Sequence, residues 1–177
     1  MKTHLMVTLT CPDRPGIVEQ ITAVTQRFSA NWEDSRMARL GGDFAGIVEI
    51  SVSPDQAEAL ADALRALADD QLTVLVKVTQ PVTPDAQQGY AFFDLRLTGA
   101  DHEGIVHTVS AYLARQGINV ESMETEVNRA PMSATPLFQM QAQIKAPPGA
   151  SLSELIANLQ RIGDELGVDI EVGPSEP

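Results

Sequence analysis

Three residues near the start of the chain can together do chemistry. They are Asp13, Gly16 and Asn31, and the same three types recur at the same spacing as Asp101, Gly104 and Asn119. A carboxylate accepts hydrogen bonds from an ammonium group. A glycine has no Cβ, so backbone and ligand can approach closely there. Placed just before a helix, it opens that helix's unpaired N–H groups and positive dipole end to a carboxylate. An asparagine side chain offers both a donor and an acceptor. Such a set suits a zwitterion held at both ends. The plainer use of the same residues is as helix N-caps (the aspartates), tight-turn residues (the glycines) and shapers of strand entry (the asparagines).

The remaining reactive types are sparse. Cys11 is the only cysteine. It would be reactive at an open helix N-terminus and inert if buried as a small hydrophobe. His102 and His107 stand five positions apart. That spacing does not place them on one helix face as an i, i+4 metal pair would require. Trp32 can anchor an interface or cover a sheet edge. There is no phosphate-binding loop, dinucleotide fingerprint or nucleophile elbow. The expectation is no catalytic residue, no metal and no cofactor, and hence no enzyme.

The elements that must position these residues are written twice. Leu9-Thr10-Cys11-Pro12-Asp13-Arg14-Pro15-Gly16-Ile17-Val18 aligns with Leu97-Thr98-Gly99-Ala100-Asp101-His102-Glu103-Gly104-Ile105-Val106, an offset of 88 residues. At that offset Ala23, Arg27, Asn31 and Glu33 meet Ala111, Arg115, Asn119 and Glu121. In the first copy, alternation of Leu5, Val7 and Leu9 predicts a strand. Ile17, Val18, Ile21, Val24 and Phe28 predict a helix from Gly16 to about Ser29. Asn31 to Leu40 is polar on both faces, as an edge strand is. Gly41-Gly42-Asp43 is a hairpin turn leading to a strand over Phe44–Val52. Ser53 and Pro54 open a second helix, and Leu72 to Thr79 is a last strand.

The second copy repeats the order. Strands are predicted over Tyr90–Thr98, Ile118 to about Asn128, Pro136–Ala146 and Val168–Val172. A helix runs from Gly104 to Gln116, ended by Gly117, and Arg129 to Thr135 is a longer connection. Another helix starts at Ser151, whose pairing with Glu154 is a capping box. Gly173 to Pro177 reads as a frayed tail. The division is therefore residues 1–80, a polar linker with two prolines over 81–89, and residues 90–173. Each half is βαββαβ. The fold class is α+β: two tandem ferredoxin-like units, each an antiparallel sheet with its helices on one face. The other sheet face of the first unit would show Met6, Ile47 and Leu75, a mildly apolar surface.

Composition narrows the partners. The formal net charge is −12, from 24 acidic and 12 basic residues. Nucleic-acid binding draws its affinity from Lys and Arg on phosphates, so direct DNA or RNA contact is not expected. An anionic membrane surface is equally unsuited. No stretch approaches the roughly 20 apolar residues of a membrane span, and the first residues lack the apolar core of a signal peptide. With a single cysteine no intrachain disulfide can form, which fits a cytoplasmic protein.

The run Asp13-Arg14-Pro15-Gly16-Ile17-Val18 with Asn31, and its copy Asp101-His102-Glu103-Gly104-Ile105-Val106 with Asn119, resembles the ACT-domain signature. ACT domains are regulatory modules that bind small molecules, often amino acids. Two such units without a catalytic or DNA-binding part resemble the glycine cleavage system transcriptional repressor family. The resemblance implies a ligand site lined by the loop before each glycine and by the asparagine of the second strand, at Cys11, Asp13 and Asn31 and at Gly99, Asp101 and Asn119, next to Gly16 and Gly104. It also implies an amino acid or similar metabolite as ligand, a transcriptional regulator as protein partner, and an assembly compatible with a homodimer. Family loops often carry Asn where this chain has Asp13 and Asp101. Two other functions suit the same layout: a regulatory or accessory subunit of an amino-acid or folate enzyme, and a structural oligomerisation module.

Overall fold

A computed structural model describes residues 2–80, 89–129 and 136–175. The chain divides into two compact units, Met1–Thr83 and Pro84–Pro177. The expected linker, apart from Gly89, and most of the Arg129–Thr135 connection lie outside the described residues.

The first unit runs β1 (Thr3–Pro12), α1 (Ile17–Arg27), β2 (Asn31–Leu40), β3 (Asp43–Val52), α2 (Ala57–Arg65) and β4 (Thr73–Thr79). Its sheet order is β2-β3-β1-β4, antiparallel throughout. The second runs β5 (Ala91–Ala100), α3 (Ile105–Arg115), β6 (Asn119–Arg129), β7 (Pro136–Ala146), α4 (Leu152–Leu166) and β8 (Val168–Pro174). Its order, β6-β7-β5-β8, is the same topology. Both units are ferredoxin-like βαββαβ sandwiches, as the periodicity implies.

Alternation decides which strand face meets the helices. In β1 the buried side chains are Leu5, Val7, Leu9 and Cys11; in β7 they are Phe138, Met140, Ala142, Ile144 and Ala146. Ile17, Ile21 and Val24 of α1 and Leu60, Ala61 and Leu64 of α2 close the first core. Ile105, Val109, Tyr112 and Leu113 of α3 and Leu155, Leu159 and Ile162 of α4 close the second. Gly163 is required where α4 meets β8, because a Cβ there would stand 2.6 Å from the Val168 carbonyl oxygen.

Several local expectations need correction. Asp13 and Asp101 are not helix caps. The N-cap positions of α1 and α3 belong to Gly16 and Gly104, and no side chain caps either helix. Ser53 makes no capping hydrogen bond, and Pro54–Gln56 form a 3-10 turn before α2. Proline at that point removes a donor and suits a tight first turn. Half of the Ser151 capping box forms: its Oγ accepts from the Glu154 N–H at 3.4 Å. The C-terminal segment is tied down further than expected. β8 extends through Pro174, and the Ser175 N–H donates to the Phe92 carbonyl at 3.2 Å.

Candidate functional site

Gly16 and Gly104 hold the same left-handed conformation, with φ of 93° and 94°. Few L-residues adopt it, whereas glycine does so freely. Each turns the chain from the first strand of its unit into a helix, leaving first-turn N–H groups facing outward without a side-chain cap. Those groups and the dipole make an anion-accepting end. Asp13 and Asp101 stand exposed beside them. The Asp13 N–H donates to the Gly42 carbonyl at 2.9 Å and the Asp101 N–H to Pro136 at 3.0 Å. The Asp13 carboxylate also lies 3.8 Å from the Arg39 guanidinium, an exposed and weak pair.

The residue after Asp101 anchors its loop. The His102 Nδ1 lies 2.9 Å from the Glu103 carbonyl oxygen and Nε2 lies 2.8 Å from that of Leu166. Both contacts raise its pKa above the ordinary histidine value, the Glu103 carbonyl first. With both nitrogens so engaged, the ring is not presented as a metal ligand. Arg14 holds the same position in the first loop. Its positive charge acts on Asp69 beyond α2, whose carboxyl is held below its usual range mainly by the N–H groups of Gln71 and Leu72.

Asn31 and Asn119 are exposed at the starts of β2 and β6. Two residues on, each edge strand carries a β-bulge, at Glu33 and at Glu121. A bulge inserts one residue and re-aims its side chain. Here it turns both glutamates back to their asparagines. Asn119 Nδ2 donates to Glu121 Oε1 at 2.6 Å. Glu33 is held below the usual carboxylate range, first by the Asn31 side chain and then by the Ser51 hydroxyl. The buried Ser51 donates to Glu33, and Lys2 Nζ donates to Ser51 at 3.2 Å.

Within a unit, the structure does not bring asparagine and loop together. Asn31 pairs with Ser51, itself opposite His4, whereas the Asp13 loop follows Pro12. Eight strand steps at about 3.3 Å separate them by roughly 26 Å. Asn119, opposite Lys145 and through it Phe92, is as far from the Asp101 loop.

Comparison with known proteins fits this geometry. The ACT domain family matches residues 3–79, the whole of the first sheet and its helices, and the second unit repeats that topology. The first unit is an ACT domain. It is similar to the glycine cleavage system transcriptional repressor of Escherichia coli (strain K12), with 23% identity over 163 residues, 92% of this chain and 85% of that protein. A crystal structure of an unknown protein from Galdieria sulphuraria matches with a TM-score of 0.86 and 32% identity, covering 99% of this chain and 100% of that one. Another, provisionally named a glycine cleavage system transcriptional repressor, matches in fold with a TM-score of 0.71 and 21% identity, covering 100% of this chain and 99% of that one.

Other residues singled out in the sequence settle into structural places. Cys11 is buried, its thiol lies 3.9 Å from the Phe44 carbonyl oxygen, and burial pushes its pKa up. It is the inert small hydrophobe and not a reactive thiol. Trp32 packs half-buried against the first core. The bulge glutamates were the residues sequence reasoning missed, although Glu33 and Glu121 coincide in the repeat. Among the described residues no helix is long and apolar enough to cross a membrane.

Proposed function

We propose that this tandem ACT protein is a non-catalytic regulator that senses a small zwitterionic metabolite of the amino-acid class and passes its occupancy to a transcriptional regulator. The observation that carries the reading is the duplicated loop. Two uncapped helix N-termini, each behind a left-handed glycine and beside an exposed aspartate, offer matched polarity for a carboxylate and an ammonium group. Asp13, Gly16, Asp101 and Gly104 form the gripping elements. Asn31 and Asn119 each lie far from the loop of their own unit and stand outside that grip.

The similarity to a glycine cleavage system repressor supports the regulatory role and the choice of a protein partner. The net charge of −12 supports action through that partner and not by direct contact with DNA. Coupling between ligand and partner follows from linkage: a ligand that favours the partner-bound state is itself bound more tightly in it.

A thermal-shift screen of the full chain against the amino acids tests the sensing role. A ligand at 100 times its Kd adds about 2.7 kcal/mol to stability and raises Tm accordingly. No shift with any amino acid at millimolar concentration would remove that class of ligand.

A further inference from the structure

We propose that His102 is a proton-controlled positioning residue for the second loop, a role that its counterpart Arg14 cannot play in the first. The proposal deepens the ligand reading of the Asp101–Gly104 loop, but the anchoring it describes does not depend on a ligand.

The argument is one of donors and acceptors. His102 Nδ1 faces the Glu103 carbonyl oxygen at 2.9 Å and Nε2 faces the Leu166 carbonyl oxygen at 2.8 Å. A neutral imidazole carries one N–H and can serve one of them; only the imidazolium serves both. The Leu166 carbonyl is at the last residue of α4, where the helix dipole favours a cation. The ring thus clips the loop ahead of α3 to the far end of α4 in its charged form.

The ionisable groups on the segments around it are mostly acidic. Asp101 on its own loop acts on the ring directly. Glu103 follows it, Asp164 and Glu165 sit in the last turn of α4, and Asp169 lies early in β8. Arg161, the one cation on α4, is paired with Glu165 at 3.5 Å. The folded-state pKa is raised, so the clip is complete below the ordinary histidine pKa. It is lost as pH rises through the raised value. Arg14 keeps its charge at any such pH, so the first loop has no equivalent transition.

Histidine NMR and amide exchange on the full chain test this, with the His102→Arg and His102→Ala variants beside the parent. His102 should titrate above the ordinary histidine range. The amide protection factor at Asp101, whose N–H is bonded to the Pro136 carbonyl, should fall about tenfold across the same titration, with that at Asp13 unchanged. His102→Arg should keep the protection and lose its pH step; His102→Ala should show low protection throughout. A His102 pKa at or below the ordinary value, or a pH step that survives in His102→Ala, overturns the proposal. If no amino acid binds, the clip is still tested in full. If one binds the second loop, its affinity should fall through the same pH range in the parent and not in His102→Arg. Unchanged affinity in the parent would refute the positioning role while leaving the ligand reading intact.

Discussion

The two units share a backbone and differ in what it displays. Both turn into their first helix through a left-handed glycine, at φ of 93° and 94°, and both bulge two residues after an asparagine. On the sheet face away from the helices the likeness stops. In the first unit Met6 and Ile47 sit with Asp34, Arg36 and Glu49 around a hollow of about 60 Å³. The corresponding positions of the second are Asp94 and Gln141 with Ser122, Glu124 and Gln143, around a hollow of about 290 Å³. Gln143 donates to Ser175, and Ser175 to Asp94, so the polar face is cross-linked to the end of the chain. Turn residues and core side chains fix the fold, because a wrong one strains or empties it. Outward residues answer to solvent and partners, and they are free to diverge after duplication.

If the shared backbone rests on equivalent cores, matched deletions should cost the same. Leu9 and Leu97 are equivalent and each is 1% exposed. Leu9→Ala and Leu97→Ala should each destabilise their own unit by about 2–5 kcal/mol. Denaturant unfolding followed by NMR signals of each unit would measure both. Losses differing by more than twofold would mean that the two cores are not equivalent.

The glycine turns give a smaller effect of pure backbone origin. A Cβ at Gly16 or Gly104 would meet nothing within 4 Å, so the cost of alanine is the left-handed conformation alone. Gly16→Ala and Gly104→Ala should each cost about 1–3 kcal/mol by chemical denaturation. A negligible cost at either position would show that its loop relaxes to another conformation.

The smallest effect belongs to a feature that, among the described residues, the second unit has and the first does not. Ser175→Ala removes the links to Gln143 and Asp94 and should cost about 0.5–1.5 kcal/mol in that unit. The first unit should not change. A loss shared by both units would break the view that this network is local.

The repeat made the fold legible. The 88-residue offset holds from Thr3 against Ala91 through Asn31 against Asn119, and α1 and α3 keep it at both ends. Period-2 and period-3.6 patterns placed the cores because burial acts on one face of each element. The sequence was less informative where a long-range partner decides the outcome. The ladder to β5 and the Ser175 network turn Gly173 and Pro174 from tail into strand. Cys11 is inert because it faces inward from β1, which no loop motif reveals. The bulges require the β2–β3 and β6–β7 registers, and the His102 clip requires the end of α4 to lie beside the loop. The candidate site was readable as residue types. That each asparagine stands at the far end of the sheet from its own loop follows only from the strand pairing.

A calorimetric titration of the full chain, its Asp13→Ala variant and its Asp101→Ala variant with an amino acid that raises Tm tests the sensing claim most directly. The loss of a charge-assisted hydrogen bond is worth about 1.5–3 kcal/mol. Where both loops grip the ligand, each variant should lose tight binding at its own loop, roughly 10- to 100-fold in Kd, and keep it at the other. Binding as tight and as numerous in both variants as in the parent would contradict the account and place the ligand away from the loops.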